Sequence, residues 1–195
     1  MGFNGEKRLT NNFMQKVVLS EISLIHGEVK TPKGFEIDLK KIKNSIIDSF
    51  IKENRVSNNE KNYSYNDYNI EFSLPLQWLQ DYIRDHFKAE HGLSLIPLLN
   101  FGNVLEPKEK SLNRNNVDPV DLRNAADYTC VFGVDVNGDC NLVIEYADNR
   151  RAGRTWHIPI KNNHYYIFPS TQRYFFTENK SDKLNTILTM TYNYV

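Results

Sequence analysis

Two segments in the first half of the chain place their hydrophobic residues at helical spacing. The first is residues 37–54, where the isoleucines lie on one helical face and the lysines on the opposite face. The second begins at Ser73, a residue suited to cap a helix, and ends before Gly92, a residue suited to end one. The apolar positions of this second predicted helix are Leu76, Leu79, Ile83 and Phe87.

From residue 127 onward the pattern changes to short apolar runs separated by turn residues, which predicts one strand after another. These strands cover residues 128–136, 141–146, 154–160, 165–168, 174–177 and 185–194. Asn137-Gly138 is a frequent two-residue hairpin turn, so we expect the strands on either side of it to pair directly. Two earlier strands are predicted at residues 13–29 and at residues 93–99, with Val104 as the furthest end of the second.

Two helices followed by about eight strands indicate an α+β fold, with helices on one face of a β-sandwich or rolled barrel. We expect a single domain over residues 1–195. Residues 1–100 form a predicted strand and helical support region, and residues 101–195 form the predicted β core. The charged, Asn-rich segment 106–124 is predicted to be a long loop of the kind that often carries functional residues.

Composition narrows the classes of partner. The chain has 24 Lys and Arg against 24 Asp and Glu, so no overall basic surface favours specific nucleic acid or an anionic membrane. No run approaches the roughly 20 apolar residues of a membrane helix. Residues 1–12 lack the apolar core of a signal peptide, so we expect a location in the cytoplasm or in a virion rather than secretion by a signal peptide. Without an oxidising compartment, Cys130 and Cys140 are predicted to be buried free thiols rather than a cross-strand disulfide.

The C-terminal half carries a resemblance to a known family. Phe168-Pro169-Ser170 follows an apolar strand and precedes a polar loop and a closing strand. With the runs 128–134 and 156–160 and the last residues 191–195, this tripeptide resembles the iron(II)/2-oxoglutarate-dependent oxygenase superfamily, in particular its small phage-type, prolyl-hydroxylase-like branch. The resemblance covers about half the chain. It implies a double-stranded β-helix, or jelly roll, with the N-terminal helices packed on one face.

The resemblance also implies where iron would bind, and the usual ligands are missing there. The family holds iron with two histidines and one carboxylate. The distal histidine position, four residues after the Phe-Pro-Ser serine, is Tyr174. The first ligand pair falls on Asp121 and Arg123 in an ungapped match. If the loop is longer, the candidates are instead Asn113, Asn115 and Asp118.

The position of the cation that pairs with 2-oxoglutarate is also altered, because it falls on Asn185, with Lys183 as the nearby cation. His157 and His164 are weak alternative metal ligands, together with Asp121 or Tyr174. The favoured interpretation is that His157 faces solvent or packs beside Trp156, and that His164 begins a strand.

Because the expected ligands are replaced, we expect a non-catalytic oxygenase-like fold reused as a structural or interaction protein, such as a phage neck, tail or fibre component in the virion. This hypothesis expects no cofactor, and expects protein partners in a viral assembly or a homo-oligomer. One alternative is an active hydroxylase with atypical ligands, which would need Fe(II) and 2-oxoglutarate. A second alternative is a carbohydrate-binding jelly roll that uses Tyr63, Tyr65 and Tyr68.

Overall fold

The computed structural model describes residues 22–56, 68–117, 120–123, 125–149 and 151–195. Within these ranges the chain forms two helices, α1 (Leu39–Val56) and α2 (Leu74–His91). The strands before the long loop are β1 (Ile25–Glu28), β2 (Tyr68–Asn69) and β3 (Leu95–Leu105). The strands after it are β4 (Tyr128–Asp135), β5 (Asn141–Asn149), β6 (Ala152–Pro159), β7 (His164–Pro169), β8 (Arg173–Phe176) and β9 (Asn185–Tyr194).

The strands form two antiparallel sheets. One sheet has six strands in the order β1-β7-β4-β9-β3-β2, and the other has three in the order β6-β5-β8. Side chains from both sheets meet in a shared core, so the sheets enclose the interior of a barrel. Both helices pack on the six-stranded sheet. The α+β class, the double-stranded β-helix and the placement of the helices on one face are therefore confirmed.

The central strands β4, β7 and β9 of the six-stranded sheet are buried on both faces. This explains why β4 and β7 lack the alternation of apolar and polar residues. In β4 the side chains of Cys130 and Phe132 point toward the helices, whereas Val131 between them points into the barrel. All three are fully buried. Such strands appear in the sequence as continuous apolar runs bounded by turn residues.

The ends of the helices follow from local side-chain chemistry. At the start of α2 the Ser73 Oγ accepts a hydrogen bond from the Leu76 N–H at 3.4 Å, and at its end Gly92 takes the left-handed conformation with φ +71°. Both predicted caps are confirmed. Helix α1 begins two residues later than predicted, and Asp38 Oδ1 accepts a hydrogen bond from the Lys41 N–H at 3.0 Å at this end.

The predicted hairpin at Asn137-Gly138 is wrong. Strand β4 pairs with β7 and β9, so both of its edges are occupied, and β5 pairs instead with β6 and β8. The turn carries the chain from one sheet to the other. It is held by Asn185, whose Oδ1 accepts from the Asn137 N–H at 2.7 Å and whose Nδ2 donates to the Asn137 carbonyl at 3.2 Å.

Two predicted strands differ in length from the strands of the structure. Only residues 25–28 of the described part of the predicted strand 13–29 are extended as β1, and residues 13–21 lie outside the described residues. Strand β3 runs through Val104 to Leu105, with a β-bulge between Pro97 and Asn100. Neither described helix has the length and apolar character that a membrane span requires.

Both cysteines are buried and unbridged, as predicted. Burial raises the pKa of both thiols, because a thiolate in an apolar core loses its hydration. For Cys140 burial raises the pKa to about 11, and contacts with Asn185 and Thr177 oppose the rise.

The Cys140 pKa gives a pH dependence with a definite sign. Because the folded-state pKa lies above the unfolded value of about 8.5, the folded state binds the proton more tightly. This contribution to stability is complete below about pH 8.5 and is lost as pH rises toward 11. We expect a loss on the order of 2–3 kcal/mol in urea unfolding across this range. Cys140→Ala should show a shallower decline, and an equally steep one would contradict the assignment.

The contact between α1 and the sheet depends on Gly102 of β3. A Cβ at this position would lie 2.5 Å from Ile46 Cγ2 and 2.7 Å from Ile46 Cγ1, and β-branched side chains have little rotamer freedom in helices. Gly102→Ala should therefore lower the free energy of unfolding by about 1–3 kcal/mol. Gly153→Ala is the control, because its Cβ would lie 3.6 Å from the nearest atom, the Tyr146 carbonyl oxygen. Ile46→Ala combined with Gly102→Ala should cost less than the two single changes added together.

Candidate functional site

The long loop contributes a segment to the edge of the three-stranded sheet. Arg114 forms an antiparallel bridge with Tyr174 of β8, with hydrogen bonds of 2.9 Å and 2.7 Å between their backbones. Further along, the Asn116 N–H donates to the Ser170 carbonyl at 3.2 Å. Residues 114–116 therefore lie beside the position that the resemblance assigns to the distal metal ligand.

Four side chains form a hydrogen-bonded group inside the barrel, which we call the barrel polar cluster: Asn116, Thr129, Ser170 and Tyr174. Asn116 Nδ2 donates to Thr129 Oγ1 at 2.8 Å and to Tyr174 Oη at 3.1 Å. The Thr129 and Ser170 hydroxyls lie 2.9 Å apart. Thr129, Ser170 and Tyr174 are fully buried. These bonds satisfy polar groups that would otherwise be costly to bury.

Strand geometry explains how these residues meet. Thr129 precedes Cys130 in β4, so its side chain points into the barrel while the thiol points toward the helices. Ser170 follows β7, the neighbour of β4, and its N–H donates to the Asp127 carbonyl at 2.9 Å. Tyr174 belongs to β8 in the opposite sheet. The cluster therefore joins the two sheets at one end of the barrel.

A buried cation lies next to the cluster. The Arg114 guanidinium carbon is 5.2 Å from the centre of the Tyr174 ring and 5.5 Å from the centre of the Phe101 ring. Arg114 is 7% exposed. Both distances are within the range of cation–π attraction, which strengthens when the cation is removed from water. The barrel therefore holds a positive charge close to Tyr174.

In the described part of the chain, the predicted ligands Asp121, Arg123, His157 and His164 do not converge on Tyr174. Asp121 and Arg123 are exposed. His157 is exposed on β6, and His164 is half-buried at the start of β7, where its Nδ1 lies 3.0 Å from the Asn162 carbonyl oxygen. Asp118 lies outside the described residues, as part of the loop. The structure instead brings Arg114 and Asn116 to Tyr174.

Asn185, at the position that the resemblance assigns to the 2-oxoglutarate cation, has a structural role. Asn185 is fully buried, and its carboxamide holds the turn between the two sheets. Lys183 is exposed, and its carbonyl oxygen accepts hydrogen bonds from Asn179 and Ser181. Arg114 is thus the buried cation that the structure places inside the barrel.

The donor atoms of the cluster do not fit iron(II) as the family usually binds it. The residues described contain no group of three His, Cys, Asp or Glu side chains that could hold a metal ion. The cluster offers hydroxyls and one carboxamide, whereas non-heme iron takes two imidazoles and a carboxylate. The neighbouring guanidinium also repels a cation.

An apolar cavity of about 260 Å³ shares a wall with the cluster. The Phe168 ring lines the cavity and lies 5.2 Å from the Tyr174 ring, centre to centre. Gln172 supplies a buried amide, and Trp156 stands half-exposed at the rim. The remaining lining residues are Ile22, Ser23, Leu24, Ile144 and Ile158.

Sequence reasoning did not identify Arg114, Asn116 or Thr129 as members of a site. Arg114 and Asn116 lie in a loop with no periodicity, and a single backbone bridge leaves no apolar pattern to detect. Thr129 lies within an apolar run that reads as core. The sequence did indicate one member of the cluster, Ser170, because it ends the Phe168-Pro169-Ser170 motif on which the resemblance rests.

The fold is shared with solved oxygenases, whereas no family model and no curated protein matches the chain. A non-heme α-ketoglutarate-dependent carbocyclase, SnoK, from nogalamycin biosynthesis superposes with a TM-score of 0.63 at 11% identity, covering 88% of this chain and 79% of that one. A Pseudomonas putida prolyl-4-hydroxylase gives 0.55 at 10% identity, covering 88% and 93%. A Trichoplax adhaerens prolyl hydroxylase gives 0.53 at 8% identity, covering 88% and 83%.

These comparisons correct two expectations. The solved neighbours are an α-ketoglutarate-dependent carbocyclase and prolyl hydroxylases, and nothing among them indicates a phage virion component. The interpretation as a non-catalytic structural protein is therefore wrong, and the hydroxylase alternative fits the comparisons better. The expectation that no cofactor is involved is overturned by the same neighbours, one of which is named for its dependence on α-ketoglutarate.

The carbohydrate-binding alternative receives no support from its aromatic residues. Tyr68 is buried, and its ring packs edge-on against Phe50 with ring centres 5.3 Å apart. Tyr63 and Tyr65 lie outside the described residues.

The barrel polar cluster predicts the effect of removing one hydroxyl. Thr129→Val has nearly the same shape but removes one of the two hydrogen bonds of the Asn116 amide and the hydrogen bond between Thr129 and the Ser170 hydroxyl. We expect the free energy of unfolding to fall by about 1–3 kcal/mol. Thr155→Val, on the exposed face of β6, is the control and should stay within about 0.5 kcal/mol of the parent in urea unfolding. Equal effects of the two changes would show that the cluster contributes nothing to stability.

Proposed function

We propose that the chain is a 2-oxoglutarate-dependent hydroxylase whose metal ligands depart from the pattern of two histidines and one carboxylate. The observation that carries the proposal is the barrel polar cluster, which lies where the resemblance implies the active site and shares a wall with a cavity. The cluster lies beside the apolar core that the two sheets share. Buried polar groups are common where a fold performs chemistry, and they are costly to retain elsewhere.

The proposal assigns the oxo acid to Arg114 rather than to the last strand. Lys183 is exposed and Asn185 holds the turn between the sheets, whereas Arg114 is a buried cation inside the barrel. A guanidinium has five N–H donors in a planar fork, so it can bind a carboxylate in addition to the contacts it already makes. Burial strengthens that attraction, because water does not screen it.

The cluster has a positioning role in this proposal. Asn116 fixes the Tyr174 hydroxyl, and the pair of Thr129 and Ser170 fixes Asn116. Aromatic rings around the cluster keep water away from it. Because the described donors do not fit iron(II), no catalytic step through a metal is assigned to these side chains.

The proposal is tested by anaerobic calorimetric titration of the full chain with iron(II) and 2-oxoglutarate, followed by succinate measurement after oxygen is admitted. We expect 2-oxoglutarate to bind and succinate to be released. Arg114→Met should weaken 2-oxoglutarate binding by at least about tenfold, because it removes a buried charge-assisted hydrogen bond. Lys183→Met is the matched control and should leave binding unchanged, because Lys183 is exposed.

A second pair of variants distinguishes a loss of activity at the site from a loss of folded structure. Tyr174→Phe should lower succinate release while the protein remains folded by circular dichroism, and Tyr194→Phe, a half-exposed tyrosine at the end of β9, should not. A parent protein that binds neither iron(II) nor 2-oxoglutarate would overturn the proposal. Equal losses from Lys183→Met and Arg114→Met would overturn the assignment of Arg114.

A further inference from the structure

We infer that the cavity beside the barrel polar cluster takes a neutral, ring-sized substrate that forms one hydrogen bond with Gln172. The inference rests on the proposed function, because it takes this cavity to be the place where the substrate binds. It adds the chemical class of the substrate, which neither the fold nor the resemblance supplies.

The lining of the cavity is uncharged. None of the eight side chains around the cavity carries a charge, and six of them are apolar. A carboxylate, phosphate or ammonium that entered would lose its hydration and gain no opposite charge from this lining. The cavity therefore favours a neutral group over a charged one.

The volume of the cavity limits the size of the substrate. An apolar protein cavity of about 150 Å³ accommodates benzene. At the same scale the 260 Å³ present here corresponds to roughly ten non-hydrogen atoms. This is the size of two fused rings, and it is smaller than the typical pocket for a drug-sized ligand. The rings of Phe168 and Trp156 on the wall and rim offer faces for stacking.

The lining contains one side-chain amide, that of Gln172. Gln172 is buried at 8% exposure, and its Nε2 donates to Thr171 Oγ1 at 3.3 Å. A glutamine amide has two N–H donors and two acceptor lone pairs, so one contact leaves capacity for a ligand. The other polar residue of the lining, Ser23, is exposed, so a ring system with one hydrogen-bonding group matches the buried part of the lining.

The test uses three probes of similar ring size on the full chain, without iron and without 2-oxoglutarate. Indole is neutral and has an N–H, indene has the same ring size without the N–H, and indole-3-carboxylate carries a negative charge. In isothermal titration we expect indole to bind about 2- to 12-fold tighter than indene, which is the range for one net hydrogen bond. Indole-3-carboxylate should bind at least about tenfold more weakly than indole.

Two variants locate the binding. Gln172→Leu should remove the advantage of indole over indene, whereas Gln77→Leu, on the exposed face of α2, should preserve it. Leu24→Trp should fill the cavity and abolish binding of all three probes while the protein remains folded. The chain has two tryptophans, so in NMR the Trp156 side-chain signal should shift on adding indole while that of Trp78 on α2 stays in place.

The outcomes separate this inference from the proposed function. Binding of indole-3-carboxylate as tight as that of indole, no binding of any probe, or indole binding that survives Leu24→Trp would each overturn the inference. If that happens while succinate is still released from 2-oxoglutarate, the proposed function stands and the substrate binds elsewhere. If indole binds as expected but no succinate forms, the cavity is a ligand site and the hydroxylase proposal fails.

Discussion

Burial of the central strands β4, β7 and β9 on both faces is the constraint on which the rest of the structure depends. Helices α1 and α2 cover one face, and the barrel interior covers the other. Strand β9 lies between β3 and β4 with its side chains almost entirely buried, so it links the two cores. Long antiparallel registers hold β4 between β7 and β9, so the sheet sets the position of Thr129, and Ser170 lies in the turn directly after β7.

The three-stranded sheet is built differently, and this difference shapes the site. Its inner face contributes Ile144, Tyr174 and Phe176 to the barrel, while residues 153–157 of β6 are exposed. The barrel thus has one wall supported by helices and one wall with a strand open to solvent. The cavity lies between the open strand and β7, whereas the cluster lies on the side where Arg114 extends the sheet beyond β8.

Much of the fold could be predicted because its signals are local. The apolar run of each late strand and the caps Ser73 and Gly92 depend on neighbouring residues alone. The sequence around Asn137-Gly138 could not show that the hairpin prediction is wrong. The strands that pair with β4 are β7 and β9, which lie far along the chain. The candidate site was harder still. It depends on a single bridge from an aperiodic loop, and on amide and hydroxyl groups that no ligand motif would select.

The carboxamide of Asn185 limits which residues can occupy this position. It accepts from one backbone N–H and donates to the carbonyl of the same residue, Asn137, so it acts as acceptor and donor at once. An arginine has five donors and no acceptor, and could not replace it there. An arginine at this position would leave the Asn137 N–H without this acceptor and would weaken the crossing between the sheets. A positive charge inside the barrel is therefore compatible with the crossing only when it comes from another position, such as Arg114.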